Sequence, residues 1–158
     1  MTDRARTIYL IKLLETETRL MMDSILRIHG FTTTQYTAMS IIENARTPHS
    51  SASLARRLRI TPQSANETVA SLYGRKLILK KPDPDMPRAK LIMLSAKGRA
   101  ALAELDREVD KAEAKMLAVL SDDELKSFRQ QLRCIVSGSR AVAAEDREPS
   151  DTASGNIA

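Results

Sequence analysis

Amide, hydroxyl and carboxylate side chains that can form hydrogen bonds are concentrated between positions 61 and 67 of this 158-residue chain. Gln63 and Asn66 carry carboxamides, which can form two parallel hydrogen bonds with the edge of an adenine. Thr61 and Ser64 carry hydroxyls suited to phosphates or adaptable contacts, and Glu67 can accept from cytosine or orient a neighbouring arginine. Because positions 62–74 contain no lysine or arginine to read guanine, a site read by these groups should favour A·T pairs.

Basic charge surrounds this polar stretch. Residues 51–100 contain eleven lysines and arginines against three acidic residues, a net charge of +8 in a chain whose total is +5. Such a segment is expected of a surface that displaces counterions from a phosphate backbone, although a solvated basic face on an ordinary domain is the alternative. Arg56 and Arg57 are candidate backbone contacts, and Arg88 is a candidate for insertion into a narrow A·T minor groove. Each arginine is alternatively a surface residue without a specific role.

The residue types needed for catalysis or metal binding are sparse. His29 and His49 are the only histidines, Cys134 is the only cysteine, and no HExxH spacing, Gly-rich phosphate loop or nucleophile elbow occurs. We therefore predict no enzyme, no metal site and no cofactor. A small buried or interface thiol is the favoured interpretation of Cys134, with a redox sensor as the alternative.

Two short helices are predicted to position the polar stretch. Ser50 precedes an apolar stripe and can cap the first helix, while Thr61 followed by Pro62 can begin the second. The buried face of the second helix is predicted to carry Ala65, Val69 and Leu72, which leaves Gln63, Ser64, Asn66 and Glu67 on the other side.

Two strands should follow these helices. Residues 77–81 and 91–94 form short apolar runs, and the three prolines between them cannot continue a strand ladder. The segment between the runs, which contains Arg88, is therefore predicted to project as a turn. Helix, helix, strand, turn and strand is the order of a winged helix-turn-helix.

Long helices are predicted on both sides of this motif. Residues 1–30 keep an apolar stripe and end at Gly30, and Thr32 with Gln35 forms a capping box at the next helix start. Ser95 should cap a helix reaching about Leu120, and the sequence SDDE from position 121 should begin a final helix. We expect a mainly α fold with a winged helix-turn-helix DNA-binding lobe at 31–94, a helical dimerisation lobe at 1–30 and 95–144, and a disordered polar tail at 145–158.

The ordered motifs resemble the MarR family of bacterial transcription regulators. The matching stretches are FTTTQYTAMSII, LARRLRITPQSANETVASLYGRKLILKKPDP and RAKLIMLSAKGRAAL. Two positions depart from the family pattern: Met86 stands where an acidic wing residue is usual, and Lys76 stands where glycine tends to follow the recognition helix. The second departure predicts an earlier helix end, near Gly74.

The resemblance implies a homodimer that binds double-stranded DNA at a pseudo-palindromic operator, as a repressor whose release by a small molecule is also expected from the family. The alternative is a winged-helix scaffold for protein or non-specific nucleic-acid interactions. A single cysteine and the lack of a charged and apolar leader favour the cytoplasm, and no apolar run approaches the roughly 20 residues that span a bilayer. Operator sequence, regulated genes, effector and direction of regulation do not follow from the sequence.

Overall fold

Six helices and one two-stranded sheet make up the described part of the chain. The computed structural model describes residues 6–82 and 90–145, with side chains through residue 139. In chain order the elements are α1 Thr7–Ile28, α2 Thr33–Glu43, α3 Ser51–Leu58, α4 Pro62–Gly74, β1 Ile78–Pro82, β2 Lys90–Leu94, α5 Ala96–Met116 and α6 Asp122–Glu145. The predicted mainly α winged helix-turn-helix with long terminal helices is confirmed.

Helices begin where capping side chains were predicted. Thr32 accepts a hydrogen bond from the Gln35 backbone N–H, and the Gln35 side chain accepts from the Thr32 N–H, which completes the capping box of α2. Ser50 caps α3 by accepting from the Ser53 N–H, and Thr61 caps α4 with Pro62 at its first position. These local bonds satisfy backbone donors that a helix start would otherwise leave unpaired.

Three helices end through the same left-handed turn. Gly30, Arg59 and Lys76 have φ values of +70°, +55° and +61°. Each is followed by a residue whose N–H donates back to a carbonyl five positions earlier, as in the 3.0 Å bond from the Leu77 nitrogen to the Leu72 oxygen. Lys76 therefore occupies the left-handed position that glycine favours. Helix α4 reaches Gly74, as predicted, and the left-handed residue is Lys76.

The sheet is an antiparallel hairpin with a third, one-residue contact. Strand β1 pairs with β2 in the register Ile78↔Leu94 to Pro82↔Lys90. His49 bridges the other side of β2, where the Ile92 nitrogen donates to the His49 oxygen at 2.8 Å. Residues 83–89, which include the predicted wing turn with Met86 and Arg88, lie outside the described residues.

One apolar core joins α2, α3, α4, the sheet and the start of α5. Met39, Leu54, Leu72, Leu77 and Ile92 are each at most 2% exposed. Gly98 lets α5 approach this core, because a Cβ atom built there would lie 2.0 Å from the Leu77 oxygen. The core thus fixes α4 against α3 and the sheet by packing.

The long first helix packs only near its end. Leu26 is its one buried residue among those described, whereas Ile8, Ile11, Leu14 and Ile28 of the predicted stripe are 39–84% exposed. The apolar stripe is therefore left uncovered at these residues in the single chain. A stripe pattern shows which side chains share a face, but not whether a partner covers them.

The chain divides into two compact units, Met1–Glu113 and Ala114–Ala158. The described part of the second unit contains the end of α5 and helix α6. Helix α5 ends at Met116, four residues before the predicted Leu120. Glu124 accepts hydrogen bonds from the N–H and hydroxyl of Ser121, which lowers the pKa of its carboxyl and marks the predicted start of α6.

Candidate nucleic-acid interface

Helix α4 exposes the predicted polar side chains at its N-terminal end. Gln63, Asn66 and Glu67 are exposed, while Ala65, Val69 and Leu72 on the opposite face are buried in the core. The predicted division of this helix into a buried and a polar face is confirmed. A rigid helix therefore presents two carboxamides and one carboxylate to solvent within five residues.

The carboxamide of Asn66 is held from the preceding helix. The Ser51 hydroxyl, in the first turn of α3, donates to Asn66 Oδ1. This bond joins the two helices of the motif through side chains that are 15 residues apart in sequence. Oδ1 thus faces α3, and the amide nitrogen is the group left for another acceptor.

The carboxamide of Gln63 is held within α4. Gln63 Nε2 donates to Glu67 Oε1 at 3.1 Å, one helical turn later. Glu67 therefore orients a glutamine, where the sequence suggested an arginine or a cytosine as its partner. Gln63 keeps its carbonyl oxygen and a second N–H for other contacts.

Thr61 and Ser64 shape the helix start. The Thr61 hydroxyl accepts from the Ser64 N–H at 3.1 Å and donates to the Ser64 hydroxyl at 2.9 Å. Thr61 is exposed and Ser64 is half-buried. Because both hydroxyls already serve the cap, additional contacts from them would have to share these atoms.

Arg56, Arg57 and Arg59 are exposed on the C-terminal part of α3 and its cap. Arg57 acts on His49, whose pKa is lowered first by burial and then by this nearby positive charge. His49 is 6% exposed and its Nδ1 pairs with the Ser53 hydroxyl at 2.8 Å. A neutral His49 therefore fits the junction between α3 and the sheet. The fourth predicted arginine, Arg88, lies outside the described residues.

The C-terminal half of α4 is tied to the α1–α2 junction. Arg75 Nη1 donates to the Gly30 oxygen at 2.9 Å, and its guanidinium lies 3.9 Å from the centre of the Phe31 ring. Gln35 Nε2 donates to the Ser71 hydroxyl at 2.9 Å. These contacts set the direction in which α4 points.

Sequence reasoning missed Ser51 and Arg75 as residues that position the interface. Ser51 stood beside the predicted cap Ser50, and Arg75 stood among the basic residues at the end of α4. Their partners are 15 and 45 residues away, so no local spacing signals either contact.

No family model matches the chain, and no curated protein matches it. Solved structures do match. A mutant MarR from E. coli is 16% identical, with a TM-score of 0.76 over 85% of this chain and 99% of that chain. The transcriptional repressor CouR, bound to a 23-mer DNA duplex, is 20% identical, with a TM-score of 0.74 over 83% and 92%. A MarR family protein of Mycobacterium tuberculosis in complex with salicylic acid is 24% identical, with a TM-score of 0.68 over 85% and 99%.

The chain has the MarR fold. The resemblance drawn from the sequence motifs is confirmed at the level of this fold. Gly98 belongs to the matching stretch SAKG. Glycine is needed at this position because the start of α5 lies against the Leu77 backbone and leaves no room for a Cβ atom.

Within the described ranges 6–82 and 90–145, no group of three or more His, Cys, Asp or Glu residues is placed to hold a metal ion, and no helix is long and apolar enough to cross a membrane. The Cys134 thiol is exposed, so the expectation of a buried thiol is wrong for the single chain. An interface position stays a prediction.

Proposed function

We propose that this chain is a MarR-family transcription regulator that binds a pseudo-palindromic DNA operator as a homodimer. The observation that carries this function is the exposed set Gln63, Asn66 and Glu67 at the N-terminal end of α4. In a helix-turn-helix the second helix enters the major groove with its N-terminal residues at the base edges. The same proposal includes the two lobes expected from the sequence. The winged helix-turn-helix lobe at residues 31–94 binds DNA, and the helical lobe at residues 1–30 and 95–144 joins the two subunits.

Charge and shape both support DNA as the partner. Arg56 and Arg57 are exposed one helix before the polar set, where they are placed to contact phosphates, and Arg88 is proposed to enter the minor groove. CouR has a similar structure and is bound to a DNA duplex. Thr61 and Ser64 complete the proposed contact set at the helix start.

A second copy of the chain is the proposed partner of the terminal helices. Eight large apolar side chains of α1 are exposed by 39–84%: Ile8, Tyr9, Leu10, Ile11, Leu13, Leu14, Leu20 and Ile28. Helix α6 adds Leu132, Ile135 and Val136 at 38–52%. Apolar exposure of this extent is typical of an interaction surface, and two-fold dimers are the commonest assemblies. A dimer would place two copies of α4 on successive half-sites, about 34 to 36 Å apart.

Repression and release by a small molecule complete the proposed function. CouR is a transcriptional repressor, and the M. tuberculosis protein binds salicylic acid. An effector between the proposed lobes would change the spacing of the two α4 helices and weaken operator binding. The cytoplasm is the proposed location.

The test is DNA binding by the purified protein at near-physiological salt. Fluorescence anisotropy would compare the chain's own upstream region with a scrambled duplex of equal composition. A preference of about a hundredfold, on the order of 3 kcal/mol, supports a specific regulator. Arg56→Ala should weaken binding to both duplexes and reduce the salt slope by about 1. Lys126→Ala removes one positive charge from α6 and is the matched control. It should change neither the affinity for the two duplexes nor the salt slope.

Two results would contradict parts of the proposal. Steep salt dependence without sequence preference, both on the upstream region and after selection from random duplexes, would favour the alternative scaffold with non-specific nucleic-acid contacts. If light scattering at micromolar concentration shows a monomer, the proposed homodimer and its binding to two spaced half-sites are contradicted.

A further inference from the structure

The two exposed carboxamides of α4 are held by hydrogen bonds of opposite sense. Asn66 uses its oxygen, which accepts from the Ser51 hydroxyl. Gln63 uses its nitrogen, which donates to Glu67 Oε1 at 3.1 Å. An amide held by its oxygen offers N–H groups to a third partner, whereas an amide held by its nitrogen offers its oxygen and one remaining N–H.

Ser51 is well placed to fix the sense of the Asn66 amide. It is half-buried in the first turn of α3, and α3 is anchored by the buried side chains Leu54 and Ala55. An Asn side chain free in water can rotate to present either its oxygen or its nitrogen. In this structure the Ser51 hydroxyl donates to the amide oxygen, so the outward group of Asn66 is its NH2.

We propose that Ser51 is a specificity-determining positioning residue, which makes Asn66 a hydrogen-bond donor towards the DNA base that it contacts. The inference rests on the DNA-binding function proposed above and specifies how that site selects a base. Adenine, guanine and thymine each carry an acceptor in the major groove, at N7, at O6 and N7, or at O4. Cytosine offers only its N4 donor there. The base facing Asn66 is therefore any base except cytosine.

This selection differs from the one expected from residue types alone. A free asparagine favours adenine, because it donates to N7 and accepts from N6 at the same time. The Ser51 bond occupies one of the two lone pairs of Oδ1, so the donor side of the amide dominates. Guanine and thymine then become acceptable at the position that Asn66 reads.

The experiment selects binding sites from a random duplex library and compares five proteins: wild type, Ser51→Ala, Ser51→Thr, Asn66→Asp and Asn66→Ala. Ser51→Thr keeps the hydroxyl and is the matched control for Ser51→Ala. Asn66→Asp keeps the shape but replaces the outward NH2 with an oxygen. Asn66→Ala identifies which operator position depends on residue 66.

For wild type and Ser51→Thr we expect cytosine to be disfavoured at that position by at least about fivefold. Ser51→Ala should instead narrow the preference to adenine, with guanine and thymine selected at least about fivefold less often than in wild type, because a free amide can both donate to N7 and accept from N6. Asn66→Asp should reverse the preference towards cytosine or adenine, which carry a donor. The position read by Gln63 should keep its profile in the Ser51 variants.

The role of Ser51 is overturned if Ser51→Ala keeps the wild-type base profile, including the case in which affinity falls uniformly at all sites. It is also overturned if wild type selects cytosine at the position that depends on residue 66. In either case a selected site exists and the proposed DNA-binding function stands. Failure of the wild-type protein to enrich any sequence would instead contradict the proposed function, and the Ser51 inference with it.

Discussion

Gly98→Ala should destabilise the protein severely through a single added methyl group. The new Cβ atom would lie 2.0 Å from the Leu77 oxygen and 2.9 Å from its carbonyl carbon. A carbon and a carbonyl oxygen approach to about 3.3 Å, so the start of α5 would have to move by about 1.3 Å. That shift would strain two bonds of Ser95, from its nitrogen to the Leu77 oxygen at 3.0 Å and from its hydroxyl to the Lys76 oxygen at 2.8 Å.

The expected cost follows from these contacts. Two hydrogen bonds contribute about 1 kcal/mol each, and overpacking adds about 1 to 3 kcal/mol. A loss of about 3 to 5 kcal/mol is large against the roughly 5 to 15 kcal/mol that stabilises a typical domain. Urea unfolding followed by circular dichroism, at one fixed protein concentration, would measure the difference in unfolding free energy between variant and wild type.

Gly138→Ala is the matched control, because it adds the same methyl group inside α6 with no heavy atom within 4 Å. Alanine in a helix interior is more favourable than glycine by about 0.5 to 1 kcal/mol, so this variant should be slightly more stable. We therefore expect the unfolding free energy to decrease in Gly98→Ala and to increase slightly in Gly138→Ala, each relative to wild type. A Gly98→Ala protein within about 1 kcal/mol of wild type would refute the close approach of α5 to the Leu77 backbone as a constraint.

Three further predictions concern single side chains. Lys76→Gly should gain about 0.5 to 1 kcal/mol of stability by relieving a left-handed residue, and should raise the melting temperature by about 1 to 4 °C, whereas Lys76→Ala should not. Burial and the charge of Arg57 lower the pKa of His49, so the unfolded chain takes up this proton first as the pH falls below about 6.5. Between pH 7.5 and pH 5.5, the urea concentration at the unfolding midpoint should therefore decrease more for wild type than for His49→Gln. Tyr36→Phe should lose about 1 to 2 kcal/mol of unfolding free energy in urea, because it removes the 2.8 Å hydrogen bond from Tyr36 to Asp106. Burial, and then this bond, raises the pKa of Tyr36 to about 12.

The helix starts could be predicted from the sequence because their causes are local. The Thr32–Gln35 capping box and the Thr61–Pro62 start each involve residues within three positions of one another. The apolar spacing of α4 likewise predicted its buried face, since a helix turns by a fixed angle per residue. These features depend on residues that are close together in the sequence.

The finer geometry of the interface depends on contacts between distant segments. The Ser51 bond to Asn66 exists only once α3 and α4 are packed, and the Arg75 contact to Phe31 requires the α1–α2 junction to lie against the end of α4. The same limit applies to α1. Spacing identified Ile8 and Ile28 as apolar positions on a helix, and only the packed chain shows how far they are exposed.

The hairpin that follows α4 has one covered and one open edge. Strand β2 is bonded by β1 on one side and, at Ile92, by His49 on the other. Among the described residues, the longer open backbone edge is that of β1, which carries Lys80 and Lys81 and ends at Pro82. Adjacent positive charges repel an incoming strand, and proline has no N–H to donate to it. The sheet is thus protected against edge-to-edge aggregation, and copies of the chain should associate through their helices without forming a continuous sheet.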